Sequence, residues 1–194
     1  MTDLIKKLRG KTAAGIMDCK KALKEASNDL EKAVEILRKK GIKLASERSG
    51  RLAKEGRIES YIHSNARIGV LVEINSETDF VARNDEFKKF VKDISMQIAA
   101  THPGYVKRED IPAKVLEKEK EILSAPLKGK PKEAIDKILE GKLTKFYEEQ
   151  CLMEQAFVKD PKVKIKELLN DLIAKIGENI VIRRFTRYQL GEDI

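Results

Sequence analysis

Apolar residues recur every three or four positions through the first part of the chain, in three short runs. Leu4, Ile5 and Leu8 form one face of a first helix that Thr2 can cap and that ends near Gly10. Ile16, Cys19, Ala22, Leu23 and Ala26 form a second, which starts after Gly15 and breaks at Ser27, Asn28 and Asp29. Leu30, Ala33, Val34 and Leu37 form a third. Gly41 is expected to close it, with Lys39 and Lys40 in the last turn, where cations suit the helix dipole. Residues 1–41 therefore read as a compact three-helix module, near the lower size limit for independent folding.

The next stretch, IKLASERSGRLAKEG at 42–56, is basic and rich in small residues, and reads as a linker, either a connecting helix or a tether. Beyond it the period shortens. RIESYIHS and ARIGVLVEINS flank Asn65 with β-branched and alternating residues, which predicts an antiparallel hairpin. Its second strand is the most apolar in the chain and is expected at the centre of its sheet. Asn84, Asp85 and Glu86 signal a helix start, and Phe87, Phe90, Val91, Ile94 and Ile98 then share one face as far as Pro103. Residues 112–125 and 131–150 predict a projecting hairpin of two amphipathic helices around the turn LKGKP. A further helix is expected over 163–175, and ENIVIRRFTRYQL supplies a last strand. With no regular βαβ alternation, residues 57–194 read as an α+β core.

Composition narrows the function. The 194 residues are 41% hydrophobic and 37% charged, with 5% aromatics and no Trp, which fits a globular chain with a solvated, helix-rich surface. No apolar run approaches the roughly 18 residues of a membrane span. MTDLIKKLRG lacks the apolar segment of a signal peptide, and Asp3 argues against a transit peptide, so a cytoplasmic protein is expected. Cys19 and Cys151 lack CxxC spacing and read as free thiols, Cys19 inert on an apolar helix face. With two histidines beside them, no structural metal is expected. The net charge of +8 is concentrated early: residues 1–56 hold 15 Lys/Arg against 8 Asp/Glu, and residues 57–194 hold 25 against 24. Such a basic segment suits nucleic acid or an acidic protein surface. The aromatic interleaving used to stack single-stranded bases is absent from it, so direct nucleic-acid binding is not expected. GRIES and GKLTK lack the spacing of a phosphate-binding loop, and no acid–base pair stands out, so neither enzyme chemistry nor a bound cofactor is expected.

One aromatic raises a sharper question. SETDFVARND places Phe80 directly after the apolar strand and seven residues before Phe87, in phase with the coming helix. It either extends the core face or sits exposed on a surface connector over 76–83, because the cap signal starts the helix at Asn84. An exposed Phe on an anchored connector is the kind of residue that dominates a binding surface, yet isolated exposed apolar residues are ordinary. The pattern leaves both readings open.

SETDFVARND resembles the TDFV signature of the elongation factor Ts family, the bacterial guanine-nucleotide exchange factors for elongation factor Tu. LIKKLRGKTAAGIMDCKKALKEASNDLEKAVEILRKKG resembles that family's first signature, YIHSNARIGVLVEINSETDF a third segment and IGENIVIRRF a fourth, all in the family's order. The resemblance implies a UBA-like three-helix module at 1–41, a linker and a single α+β core, as in the short form of the family. Longer members carry two related core subdomains, so it further implies a homodimer, with two partners in a symmetric assembly.

The resemblance also implies site residues. Thr78, Asp79, Phe80 and Val81 match the segment that enters the partner's nucleotide domain near its magnesium site, with Phe80 inserted between two helices. Arg9, Ile16 and Met17 match N-terminal positions that touch the same domain near the nucleotide base, and His63 matches a core contact. Ile16 stands where the family commonly has Met, a swap of similar volume. An extra residue stands between His63 and Ala66. Two other readings rest on less of the chain: a basic RNA-binding protein, on the N-terminal charge, and a UBA-like adaptor, on the first helices.

Overall fold

The computed structural model describes residues 1–12, 14–127 and 131–192. Helices α1 (Thr2–Thr12), α2 (Ile16–Glu25) and α3 (Leu30–Arg48) follow the expected apolar runs. Ser27 and Asn28 adopt positive φ at the break, and the Asp29 side chain caps α3 by accepting from Glu31 N at 2.9 Å and Lys32 N at 3.1 Å. Leu8, Cys19, Ala22, Leu23, Ala26 and Ala33 form the core of this bundle.

Gly41 does not end α3, which runs on to Arg48. A glycine in mid-helix costs about 1 kcal/mol relative to Ala, a cost that the docking of this half of the helix must outweigh. The neighbour is α8 (Ile165–Ile176): a carbon added at Gly41 would lie 3.4 Å from Ala174 Cβ. Arg38 pairs with Glu167, and Arg48 Nη1 donates to Ile173 O at 3.1 Å. Residues 42–48 thus form the docked half of one helix.

The fold is α+β, with eight α-helices among the described residues and a small antiparallel sheet. Strands β1 (Glu55–Ile62), β2 (Ile68–Ser76) and β5 (Ile180–Gln189) lie in the order β1-β2-β5, which puts the apolar strand at the centre as its pattern requires. Val70, Val72, Ile74 and Ser76 alternate inward along β2. His63 N donates to Ile68 O at 2.9 Å and Ala66 takes positive φ, which closes the hairpin turn. Gly56 sits at φ +136°, where a side-chain carbon would come within 2.3 Å of Ile74 O, so only glycine fits.

The connector after β2 contains one helical turn, α4 (Asp79–Ala82), and α5 (Asp85–Thr101) follows with the predicted face buried. Asn84 caps it, its Oδ1 accepting from Glu86 N at 2.8 Å. Helices α6 (Ala113–Ser124) and α7 (Lys132–Gln150) form the expected hairpin, and the middle of its LKGKP turn, residues 128–130, lies outside the described residues. A second, two-stranded sheet of β3 (Ala156–Phe157) and β4 (Asp160–Lys164) has no counterpart in the pattern.

The chain forms two compact units. The first comprises Met1–Ile58, Glu73–Val91 and Glu167–Ile182, the second Glu59–Val72, Lys92–Lys166 and Arg183–Ile194. In the first, Ile74, Phe87, Phe90, Val91, Leu172 and Ile173 are buried along with the helical bundle. In the second, fully buried Gln97 tethers β3 and β4 to α5. Its Nε2 donates to Ala156 O and to Gln155 Oε1, each at 3.1 Å, and its Oε1 accepts from Val158 N at 2.8 Å. Arg108 lies over the Tyr147 ring at 4.6 Å and donates to Glu154 Oε1 at 2.8 Å.

Candidate functional site

The segment that carries Phe80 is built from short-range bonds. Ser76, buried at the end of β2, donates its hydroxyl to Thr78 O at 2.8 Å. Thr78 has extended backbone at φ −124° and caps α4, its Oγ1 accepting from Val81 N at 3.5 Å. Asp79 is exposed and pairs with Arg83 one turn on, at 2.7 Å. Within this single turn, neighbouring side chains face opposite ways: Val81 is 5% exposed and Phe80 77%. Phe80 is therefore an exposed aromatic on a turn that a buried valine anchors, and the core reading of that residue does not hold.

Longer-range bonds brace the turn. The Glu178 carboxylate accepts from Thr78 N at 3.0 Å and from the Thr78 hydroxyl at 2.7 Å. Asn179 N donates to Glu77 Oε1 at 2.6 Å, and Asn179 Nδ2 donates to Arg51 O at 2.7 Å. Arg51 in turn approaches Glu77 at 3.6 Å. Gly177, with φ +92°, ends α8 and turns the chain toward these partners. Sequence reasoning singled out none of Glu77, Glu178 and Asn179 as site residues. The one signal for the last two was their place in IGENIVIRRF.

The N-terminal candidates share the first unit with Phe80. Arg9 is exposed, one position after buried Leu8. Ile16 and Met17 occupy the first turn of α2 and are 55% and 61% exposed, while Cys19, Ala22 and Leu23 on the same helix turn inward. Two adjacent aliphatics at a helix start, with the opposite face buried, make an apolar contact patch. His63 belongs to the second unit, exposed at the β1–β2 turn, with the Tyr61 hydroxyl 3.1 Å from its Nδ1.

A cavity of about 200 Å³ in the first unit is lined by residues that include Gly15, Asp18, Lys40, Gly41, Asp171 and Ala174. Of its charged walls, Lys40 pairs with Asp18, Arg38 with Glu167 and Lys175 with Glu86. Desolvation raises the Asp171 carboxyl above the ordinary range, and nearby Arg38 opposes the shift. The cavity lies where the end of α1 and the start of α2 meet α3 and α8. Among the described residues, no cluster of three or more His, Cys, Asp or Glu side chains can hold a metal ion, and no helix is long and apolar enough to cross a membrane. The arrangement presents contacts: an aromatic ring, two aliphatic side chains and a cation.

Residues 2–172 match the family model described as Elongation factor TS. A Thermotoga maritima protein named elongation factor Ts is 60% identical over 190 residues, covering 98% of this chain and 96% of its own length. One from Thermoanaerobacter sp. (strain X514) is 59% identical over 192 residues, covering 98% of this chain and 94% of its own length. One from Carboxydothermus hydrogenoformans is 57% identical over 195 residues, covering 100% of this chain and 90% of its own length.

Proposed function

Because the chain belongs to the elongation factor Ts family of translation elongation factors, we propose that it is the guanine-nucleotide exchange factor for elongation factor Tu, releasing GDP so that GTP can rebind. The observation that carries this reading is Phe80, 77% exposed on a turn fixed by buried Val81. Such a ring is prepaid in conformational entropy and ready to enter a pocket on a partner.

Exchange of this kind makes and breaks no covalent bond. The factor binds the nucleotide-free partner more tightly than the nucleotide-bound one, and by linkage nucleotide weakens the factor's binding by the same free energy. A thousandfold faster release needs about 4 kcal/mol. Burying one Phe supplies about 1.5–3 kcal/mol, part of it lost on association. A second contact is therefore required, and Arg9, Ile16 and Met17 on the module at 1–41 supply it. In this mechanism Phe80 wedges between partner helices and disturbs magnesium and phosphate coordination. Thr78, Asp79 and Val81 shape its turn, and His63 adds a contact from the core at 57–194. GTP then displaces the factor. The reaction belongs to the cytoplasm and needs no cofactor on this chain.

A homodimer completes the assembly, each copy serving one partner molecule. The outer sheet face in the second unit supports it. Ile62 and Leu71 are exposed there on one side, a carbon on Gly69 lying 3.2 Å from Ile62 Cδ1. Arg187 is turned to the inner side, its Nε donating to Ala99 O at 3.4 Å, which leaves Tyr188, 72% exposed, on the outer side. An apolar sheet face of this kind suits a second copy of itself.

The test is release of fluorescent GDP from elongation factor Tu, with wild type against Phe80→Ala. Fast release by the wild type that collapses in a folded variant is expected. No acceleration by the wild type at saturating concentration overturns the proposal.

A further inference from the structure

Glu178 is half-buried, and its carboxylate takes both donors of Thr78, the backbone N–H at 3.0 Å and the hydroxyl at 2.7 Å, across 100 residues of sequence. A hydroxyl has one proton. Once that proton is donated to Glu178, the Thr78 oxygen has only lone pairs left to offer, and it accepts from Val81 N at 3.5 Å to start α4. We propose that Glu178 is a positioning residue for Phe80: it fixes the Thr78 rotamer, thereby the start of the single helical turn, and thereby the direction in which the ring projects. This inference rests on the exchange reading above and extends it to a residue that does not itself meet the partner.

Three observations support an orienting role over a merely structural one. The turn is only four residues long, Asp79–Ala82, well below the length at which a helix is stable by itself. The neighbouring Asn179 makes the separate bonds to Glu77 and Arg51 that knit the loops together, so Glu178 is not needed to close the fold. Glu178 also bonds the residue that caps the turn, two positions before the ring. Charge-assisted bonds of this kind are the stronger class, and a partly exposed pair retains enough of that strength to set a local equilibrium.

The test uses the full chain and its variants Glu178→Ala, Glu178→Gln, Phe80→Ala and the double variant Glu178→Ala/Phe80→Ala. Two quantities are read: GDP release from elongation factor Tu, and backbone hydrogen exchange of residues 79–82 in the factor alone. Glu178→Ala is expected to slow release about tenfold, with Glu178→Gln between it and wild type because the amide keeps one acceptor oxygen. The same variant should speed hydrogen exchange at 79–82 while the thermal midpoint stays close to wild type. In the Phe80→Ala background, Glu178→Ala should have no further effect on release. Unchanged release and unchanged protection in Glu178→Ala, with Phe80→Ala still defective, overturn the positioning role and leave the exchange reading standing. An equal loss in both backgrounds overturns it as well, since Glu178 would then contact the partner directly. If the wild type fails to release GDP, the exchange reading falls, and hydrogen exchange at 79–82 still decides whether Glu178 holds the turn.

Discussion

Gly41 and Ala174 meet at the joint of α3 and α8, where a carbon on the glycine would stand 3.4 Å from the alanine Cβ. That spacing is ordinary van der Waals contact, so one methyl fits and a longer side chain does not. Gly41→Ala should stabilise the protein by up to about 1 kcal/mol through helix propensity. Gly41→Leu should destabilise it by about 1–3 kcal/mol through overpacking. Thermal unfolding of the two variants checks the pair, and a stabilised Gly41→Leu would contradict the close approach.

Phe80 and Val81 are neighbours with opposite burdens. Phe80→Ala removes a ring that is already in water and should leave the thermal midpoint nearly unchanged. Val81→Ala removes buried methyls and should cost about 2 kcal/mol, while loosening the turn that presents Phe80. Circular dichroism melts distinguish the two, and a large loss of stability in Phe80→Ala would contradict its exposure.

The sequence laid out most of this architecture because the elements are amphipathic and well punctuated. The face of α5, the α6–α7 hairpin and the central place of β2 all follow from period alone. Gly41 misled because glycine carries two meanings, a helix stop and a close approach, and only the distant α8 tells them apart. The β3–β4 hairpin was hidden for a similar reason: Gln97, a polar residue on an apolar helix face, holds it through bonds that no local pattern encodes. At the candidate site, Phe80 could be picked out but its exposure could not. Glu178 is bonded to a residue 100 positions away, and that relation has no local trace.

Arg108 holds the Glu154 carboxyl below the ordinary range, first through their hydrogen bond and then, against the opposing effect of burial, through its charge. The folded value lies below the unfolded one, so the pair's contribution is full above the unfolded value near 4.5 and is lost as pH falls through the folded value. Denaturant melts between pH 7 and pH 3 should show that loss. Glu154→Gln should make the acid limb shallower, and an identical limb in the variant would contradict the coupling.

Burial pushes the Cys151 thiol up to about 11, with Glu154 adding to the shift. The folded value exceeds the unfolded one, so this contribution to stability is present below about 9 and declines as pH rises toward the folded value. Both cysteines are buried, so a thiol reagent at pH 8 should label neither in the native protein and both after unfolding. Rapid native labelling of Cys151 would contradict its environment.

The proposed dimer predicts that Leu71→Glu, a charge on the exposed outer face of β2, converts a dimeric wild type into a monomer. Sedimentation equilibrium reads the change directly. A wild type that sediments as a monomer at tens of micromolar contradicts the pairing, whatever the variant does.

The unbroken run of α3 has a mechanical consequence. Its first half belongs to the bundle that carries Arg9, Ile16 and Met17, and its second half lies on α8, which ends at the loop bracing the Phe80 turn. In the proposed mechanism the two sets of contact residues are the jaws of a caliper whose opening is set by one stiff rod, with no hinge at Gly41. Such an instrument senses the distance between two receiving sites as well as their chemistry. A partner whose sites stand at a different separation can engage one jaw at a time, and selectivity arises from span before any individual contact is optimised.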